Sequence, residues 1–280
     1  MAKLSAFADE AADDLNAQVE FLVSEDMDFI EPRFINKKNI MDLTESELVE
    51  ARRVIRDAGL KVSAIGSPIG KVRLDEAFGP HLDKYKHAID LAMFFETPFI
   101  RVFSYYPPEG KLIEDYRGQV LERMAAQAEL LSGIDVTMVH ENEAGIYGHT
   151  ARNCVDIVET INSPKIRLVY DPANFVWGEK ITDNVETCFS LMKPYVVHIH
   201  IKDWKLGSKD TGSIPGKGDG QIKELLTELA TMNYDGCLTM EPHLKQGGQF
   251  GGSTGTELFS NAIEAVRELA GEAGLDLQDN

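Results

Sequence analysis

Four short runs of this sequence end in groups that can bind a metal ion or move a proton. "VTMVHENE" (136–143) reaches Glu141, "IRLVYDPAN" (166–174) reaches Asp171, "VVHIHIKD" (196–203) reaches His200, and "CLTMEPH" (237–243) reaches Glu241. Three carboxylates converging on one place repel one another unless a cation answers them. Hard oxygen donors with one imidazole nitrogen suit Mn²⁺, the expected ion, or Mg²⁺ or Co²⁺, and Zn²⁺ less exclusively. Four protein ligands on a six-coordinate ion leave room for two adjacent substrate oxygens, such as a carbonyl and its neighbouring hydroxyl. Taken singly, each residue has a plain structural account. An acidic residue after a strand is often a helix N-cap or a solvated loop residue, and a lone strand histidine is ordinarily hydrogen-bonded filler. Four such groups at the same end of four consecutive runs favour a metal site.

Period 2 places His198 on the face of His200 but deeper in the strand, and turns His140 away from Glu141. Glu141 and Glu143 share a face, so spacing leaves either as the ligand.

These groups need a scaffold that gathers strand ends. Eight β-rich runs can be marked: "KLSAFA", "FIEPRF", "KVSAIGS", "FIRVFSYY", and the four above. Helical periodicity lies between them. Leu48, Ala51, Ile55 and Ala58 share a face, Thr44 and Glu47 have capping-box spacing, and Gly59 marks a helix stop. Leu15, Val19 and Leu22 line another helix, and Leu258, Ala262, Val266 and Leu269 the last. Strand then helix, repeated eight times, predicts an α/β fold, a (β/α)8 TIM barrel, as one domain over 1–280 with 271–280 as a loose tail. In such barrels chemistry sits at the C-terminal strand ends and the earlier strand positions are aliphatic filler.

The chain has 280 residues with 28 Lys plus Arg against 46 Asp plus Glu, a formal net charge of −18. That field repels phosphate backbones and anionic membranes, so neither nucleic acid nor a membrane is an expected partner. Cys154, Cys188 and Cys237 form no CxxC pair, and an odd count suits a reducing compartment. No apolar h-region opens the chain, and no run approaches membrane-spanning length. These features point to a soluble cytoplasmic protein. "GSPIGK" around Lys71 lacks the Walker pattern. "IPGKGDG" suits a tight turn into a helix from Gln221. "GQFGGSTGTE" (248–257) suits a substrate lid, or Ser253 and Thr254 cap the last helix. Phe103, Tyr105, Trp177 and Trp204, near strand ends, either stack on a substrate ring or fill loops.

"HEN", "YDPAN", "HIHIKD" followed by "IPGKGDG", and "TMEPH" resemble the xylose isomerase-like barrels, the sugar isomerases and epimerases that include ketose 3-epimerases, hydroxypyruvate isomerase and inosose dehydratase. The resemblance covers nearly the whole chain. It implies Glu141, Asp171, His200 and Glu241 as ligands of one divalent ion, with Glu141 chosen over Glu143. It implies Glu141 and Glu241 as acid and base on opposite faces of a keto sugar reacting through an ene-diolate. Lys202 and Asp203 then form a rim beyond His200. Glu31, Arg33, Ser67 and Lys71, at the ends of strands two and three, either hydrogen-bond sugar hydroxyls or make surface salt bridges. Asn174, His198 and Lys202 complete the candidate substrate contacts. A homo-oligomer is implied by resemblance only.

Two departures point away from simple ketohexose epimerisation. Asn174 stands where ketose epimerases usually have histidine, and "WKLGSKDTGS" offers lysines, Lys209 among them, where they carry arginine. The same enolate chemistry serves a lyase that expels a β-leaving group, either an inosose dehydratase or a 3-keto-glycoside eliminase. A multi-zinc nuclease is disfavoured by seven histidines and the negative charge. A non-catalytic sugar-binding barrel leaves the intact quartet unexplained.

Overall fold

The computed structural model describes residues 1–248 and 251–278. Among them, eight short strands ring the centre: β1 (Lys3–Ala6), β2 (Phe29–Ile30), β3 (Lys61–Val62), β4 (Phe99–Val102), β5 (Thr137–Glu141), β6 (Ile166–Tyr170), β7 (Val196–Ile201) and β8 (Cys237–Met240). Six form a continuous parallel sheet in the order β1-β8-β7-β6-β5-β4, while β2 and β3 pair with each other. The ring closes through isolated backbone bonds. Glu31 N donates to Ala6 O (2.9 Å), and Ile65 bridges β4 through Ile65 N to Phe99 O (2.9 Å) and Arg101 N to Ile65 O (3.0 Å). This is the predicted barrel.

Helices α1 (Leu15–Ser24), α2 (Glu45–Asp57), α3 (Phe78–Phe94), α4 (Arg117–Leu130), α5 (Ala151–Ile161), α6 (Ile222–Thr231) and α7 (Thr256–Ala273) pack outside. The capping box at Thr44 and Glu47 is formed, and the α1 stripe Leu15, Val19 and Leu22 is buried. The stretch after β6 departs from the expected single helix. It is built of short turns, Pro172–Asn174, the π-helical Phe175–Glu179 and Val185–Phe189, and Ser190–Met192. On α7 the buried stripe runs through Phe259, Ala262, Ile263, Val266 and Ala270, with Leu258 and Leu269 at its edge.

The aliphatic strand residues, such as Leu4, Ile100, Met138, Leu168, Ile199 and Leu238, belong to the large apolar core. The expectation of aliphatic filler down every strand is corrected. Ser5 and Ser63 hydrogen-bond each other (2.7 Å), and Glu31 takes bonds from Thr239 (2.8 Å) and His198 (2.7 Å). Polar groups survive there because each finds a partner.

The loose tail is also corrected. Residues 271–273 finish α7, Leu275 is buried, Ala2 N donates to Asp276 O (2.8 Å), and Gln278 N donates to Ala2 O (2.8 Å). Residues 279–280 lie outside the described part. Two hairpins rise from the barrel mouth, Phe34–Ile35 with Lys38–Asn39 and Lys245–Gly248 with Gly251–Ser253. No described helix is long and apolar enough to cross a membrane.

Candidate metal centre

Each ligand candidate is delivered by a strand end. Glu141 closes β5, His200 lies near the end of β7, and Asp171 and Glu241 directly follow β6 and β8. "YDPAN" folds locally because Asp171 is an N-cap with proline at the first helical position. Asp171 Oδ1 accepts from Asn174 N at 3.1 Å. The N-cap account and the ligand account therefore coexist on one carboxylate. Asn142 fixes the same turn from β5: its Nδ2 donates to Asp171 O (2.9 Å) and its Oδ1 accepts from Asp171 N (3.0 Å).

One ligand atom from each of Glu141, Asp171, His200 and Glu241 lies within 4.8 Å of the others. All four residues are buried. His200 Nδ1 sits 3.0 Å from Glu141 Oε1 and 3.6 Å from Glu241 Oε2, so the imidazole stands between the glutamates. Asp171 Oδ2 is at ion-pair distance from Lys202 Nζ (2.6 Å) yet carries no aligned hydrogen bond. Buried polar atoms left this way invite a further partner. Three hard carboxylate donors and one imidazole, with ligand atoms gathered within 4.8 Å, fit a divalent ion. Glu143 turns away to Lys71 Nζ (2.9 Å), which separates it from the cluster.

The charges are interleaved. Burial raises the Glu141 carboxyl, but His200 and Arg101 outweigh it and bring it down to about 2. Burial raises Glu241 too, and Lys202, His243 and Arg33 hold it well below the carboxylate range. Asp171 goes the other way. Burial pushes it up to about 7, with Lys202 opposing and the two glutamates adding to the rise. Burial lowers His200, but Glu141 and Glu31 carry it up to about 10 in the metal-free protein.

Behind His200 lies a carboxylate layer. Glu31 Oε1 is 3.5 Å from His200 Nε2, and Glu31 Oε2 is 2.7 Å from His198 Nε2. Glu31 and His198 are wholly buried. Their bonds run to each other, to Thr239 and toward His200, not into the cavity. The surface salt-bridge account fails for Glu31 and for Arg33, both buried. Arg33 Nη1 donates to Glu241 Oε1 (2.8 Å) and Arg33 Nη2 to Asp9 Oδ2 (2.9 Å). Ser67 is likewise buried, and its hydroxyl donates to Arg101 O.

The rim reading of Lys202 and Asp203 is corrected. Lys202 is buried inside the site against Asp171 and Glu241 (3.3 Å). Asp203 is fully buried, and its carboxylate collects the backbone N–H groups of Trp204, Gly216, Gly218 and Gly220 at 2.8–2.9 Å. The glycines of "IPGKGDG" let that backbone approach. A Cβ at Gly218 would lie 2.2 Å from Asp203 Oδ1.

Sequence reasoning missed three partners. Arg101 Nη1 donates to Glu141 Oε2 at 3.2 Å. His243 Nε2 lies 3.1 Å from Glu10 Oε1 and 3.2 Å from Glu241 Oε1. An arginine inside the apolar run "FIRVF", and a histidine two residues past Glu241, were the available signals.

The cluster opens into a cavity of about 350 Å³. Arg33, Lys71, Asn174 and Lys202 line it, as do Trp177 and Trp204. Asn174 Nδ2 donates to Asn142 O (2.9 Å) and lies 3.5 Å from Glu141 Oε1. Phe103 and Tyr105 are buried. Thr254 does not cap α7; its hydroxyl donates to Glu10 Oε2 (2.8 Å), and Gly255 holds the N-cap position. Of the expected lid, Lys245, Gln246 and Gly252 reach the cavity, and residues 249–250 lie outside the described part.

A closed α/β barrel with a candidate metal cluster at its mouth defines the class. The chain belongs to the xylose isomerase-like TIM barrel family, whose model matches residues 19–273. A D-psicose 3-epimerase of Enterocloster bolteae is 22% identical over 223 residues, covering 74% of this chain and 70% of that protein. Among solved structures, a xylose isomerase-like TIM barrel protein from Mycobacterium smegmatis in complex with magnesium superposes with a TM-score of 0.74 at 16% identity over 98% of each chain. A probable 3-DHS dehydratase of Bacillus anthracis superposes at 0.72 and 14% identity, covering 95% of this chain and 99% of that one. The two structural likenesses are of fold.

Proposed function

We propose that this protein is a divalent-metal-dependent isomerase or epimerase of a keto sugar or keto-sugar derivative. The observation that carries the reading is the buried quartet Glu141, Asp171, His200 and Glu241 at the mouth of a polar cavity. These four residues would hold the ion, Mn²⁺ or Mg²⁺ by donor chemistry. The ion supplies polarisation of a carbonyl, which acidifies the adjacent C–H.

The chain's own groups do the rest. Glu141 and Glu241 stand on either side of His200 and are ionised at neutral pH. One takes the proton from carbon and the other returns it. Return to the same carbon from the opposite face inverts it; return to the neighbouring carbon isomerises the sugar. Arg101 and Arg33 orient the two carboxylates from outside the cluster. Arg33, Lys71, Asn174 and Lys202 face the cavity and offer hydrogen bonds to sugar oxygens. Glu31 and His198 serve His200 rather than the sugar. Three free cysteines support a reducing, cytoplasmic setting.

A second reading, a lyase, is favoured by one feature: Asn174 beside Glu141 brings an amide rather than a titrating imidazole. Metal-loaded protein in D₂O, offered ketoses, inososes and 3-keto-glycosides, separates the readings once products are read by NMR. Deuterium beside a carbonyl in a new sugar isomer supports the isomerase or epimerase. Loss of water or aglycone moves the assignment to a lyase. No exchange across the panel, with metal bound, refutes both.

A further inference from the structure

A second cavity of about 810 Å³ adjoins the first and shares Arg33, Lys71 and Arg101 with it. We propose that this cavity receives an apolar group attached to the reacting sugar, so that the substrate is a keto-sugar glycoside rather than a free ketose. The inference rests on the sugar chemistry proposed above and names its substrate class.

The two cavities differ in composition. The catalytic cavity is lined largely by charged and amide groups. The second carries an apolar wall of Phe34, Met41, Pro68, Ile69, Val72 and Pro80, with charged and imidazole groups beside it, among them Lys37, Lys38, Asp42, Lys84 and His87. Small organic groups occupy cavities of about 300–1,000 Å³ that offer them an apolar wall. The shared cations are matched on the catalytic side, Arg33 by Glu241, Arg101 by Glu141 and Lys71 by Glu143. Each shared cation therefore already has a carboxylate partner.

The wall is built into the fold. One side is the Phe34–Asn39 hairpin. The other is the loop between β3 and α3, which is laced to the chain after β4. Phe103 N donates to Ile69 O (2.7 Å), Tyr105 N to Gly70 O (3.1 Å) and Tyr106 N to Val72 O (3.0 Å). Gly70 permits the approach: its φ is +93°, and a Cβ there would lie 2.0 Å from Phe103 O. A preformed recess that shares three lining residues with the catalytic cavity suits the covalent extension of one substrate better than a separate protein partner, which needs a broad face.

The test compares a methyl and a phenyl 3-keto-glucoside with Mg²⁺-loaded protein. Deuterium exchange beside the carbonyl gives kcat/KM, and saturation-transfer NMR reports which ligand protons touch the protein. The phenyl compound is expected to react roughly ten- to a hundredfold better, as burial of one ring implies. Its ring protons should take up saturation, and Val72→Asp should lower both the preference and the ring signal. Met41→Glu repeats the test from the opposite wall. Equal rates with no ring saturation overturn the proposal while leaving the sugar chemistry standing. Ring saturation that Val72→Asp abolishes, without exchange in either compound, supports the second cavity and sinks the sugar chemistry.

Discussion

Metal binding by this site should release protons, and the number can be worked out. In the metal-free protein burial lowers His200, but Glu141 and Glu31 raise it to about 10. At neutral pH the imidazole is therefore protonated. Burial raises Asp171 to about 7, against the opposing pull of Lys202. A ligand must be unprotonated to coordinate. Between pH of about 7 and about 10 His200 is the one ligand with a proton to lose, so binding releases at least one. Below about 7 Asp171 adds its own, and the count rises toward two. The association constant should then climb about tenfold per pH unit in the upper window and more steeply below it. Going from pH 9 to 7.5 would weaken binding by about 1.5 decades, ~2 kcal/mol. Calorimetric Mn²⁺ titration at pH 8, in buffers of different ionisation heat, counts the protons directly. Glu31→Gln removes one of the two carboxylates that hold the imidazolium, so its release at pH 8–9 should fall below one. Zero release from the wild type at pH 8 would refute the argument, because His200 would then be neutral or outside the coordination set.

Other perturbations have separate readouts. Glu141→Gln and Glu241→Gln should each cut proton exchange in D₂O by at least about a hundredfold; two variants with wild-type exchange would remove both from the acid/base role. Asn142→Ala strands the buried backbone N–H and carbonyl of Asp171, a loss of roughly 1–3 kcal/mol readable by urea unfolding. Asp203→Ala frees four backbone N–H groups, and limited proteolysis should then cut within 205–220 faster than in the wild type. Gly148→Ala puts a methyl 2.1 Å from His140 Cε1 and should cost about 1–3 kcal/mol by overpacking; unchanged stability would mean the His140 ring moves freely.

Much of the barrel was legible because each strand and helix declares itself locally. The α2 capping box and apolar stripe lie within a few residues of one another, whereas the strand carrying Glu141 ends there, so period 2 does not extend to Glu143. The strand-end rule then gathered Glu141, Asp171, His200 and Glu241, which the structure brings together. What period 2 cannot supply is the partner across the barrel. Glu31 meets His198 at a separation of 167 residues, and Arg33 meets Glu241 at 208. Lys202 was read as rim because charge after a strand usually reaches solvent, yet the pull of Asp171 and Glu241 draws it inward. The tail was read as loose from its place at the chain's end, whereas the backbone of Ala2 supplies both a donor and an acceptor that hold it.

The break in the strand ladder has a consequence for how such a scaffold can change. The quartet sits on β5 to β8, inside the continuous sheet. The walls of the second cavity belong to the hairpin after β2 and the loop after β3, on the arc joined to the rest by isolated bonds. Away from Glu31 and Arg33, which hold His200 and Glu241, substitutions, insertions or deletions on that arc disturb little of the ladder that sets the ligand positions. One chemistry can therefore be kept while the recognised substrate drifts. Mutational libraries confined to residues 34–42 and 68–80 are the economical place to search for altered substrate range.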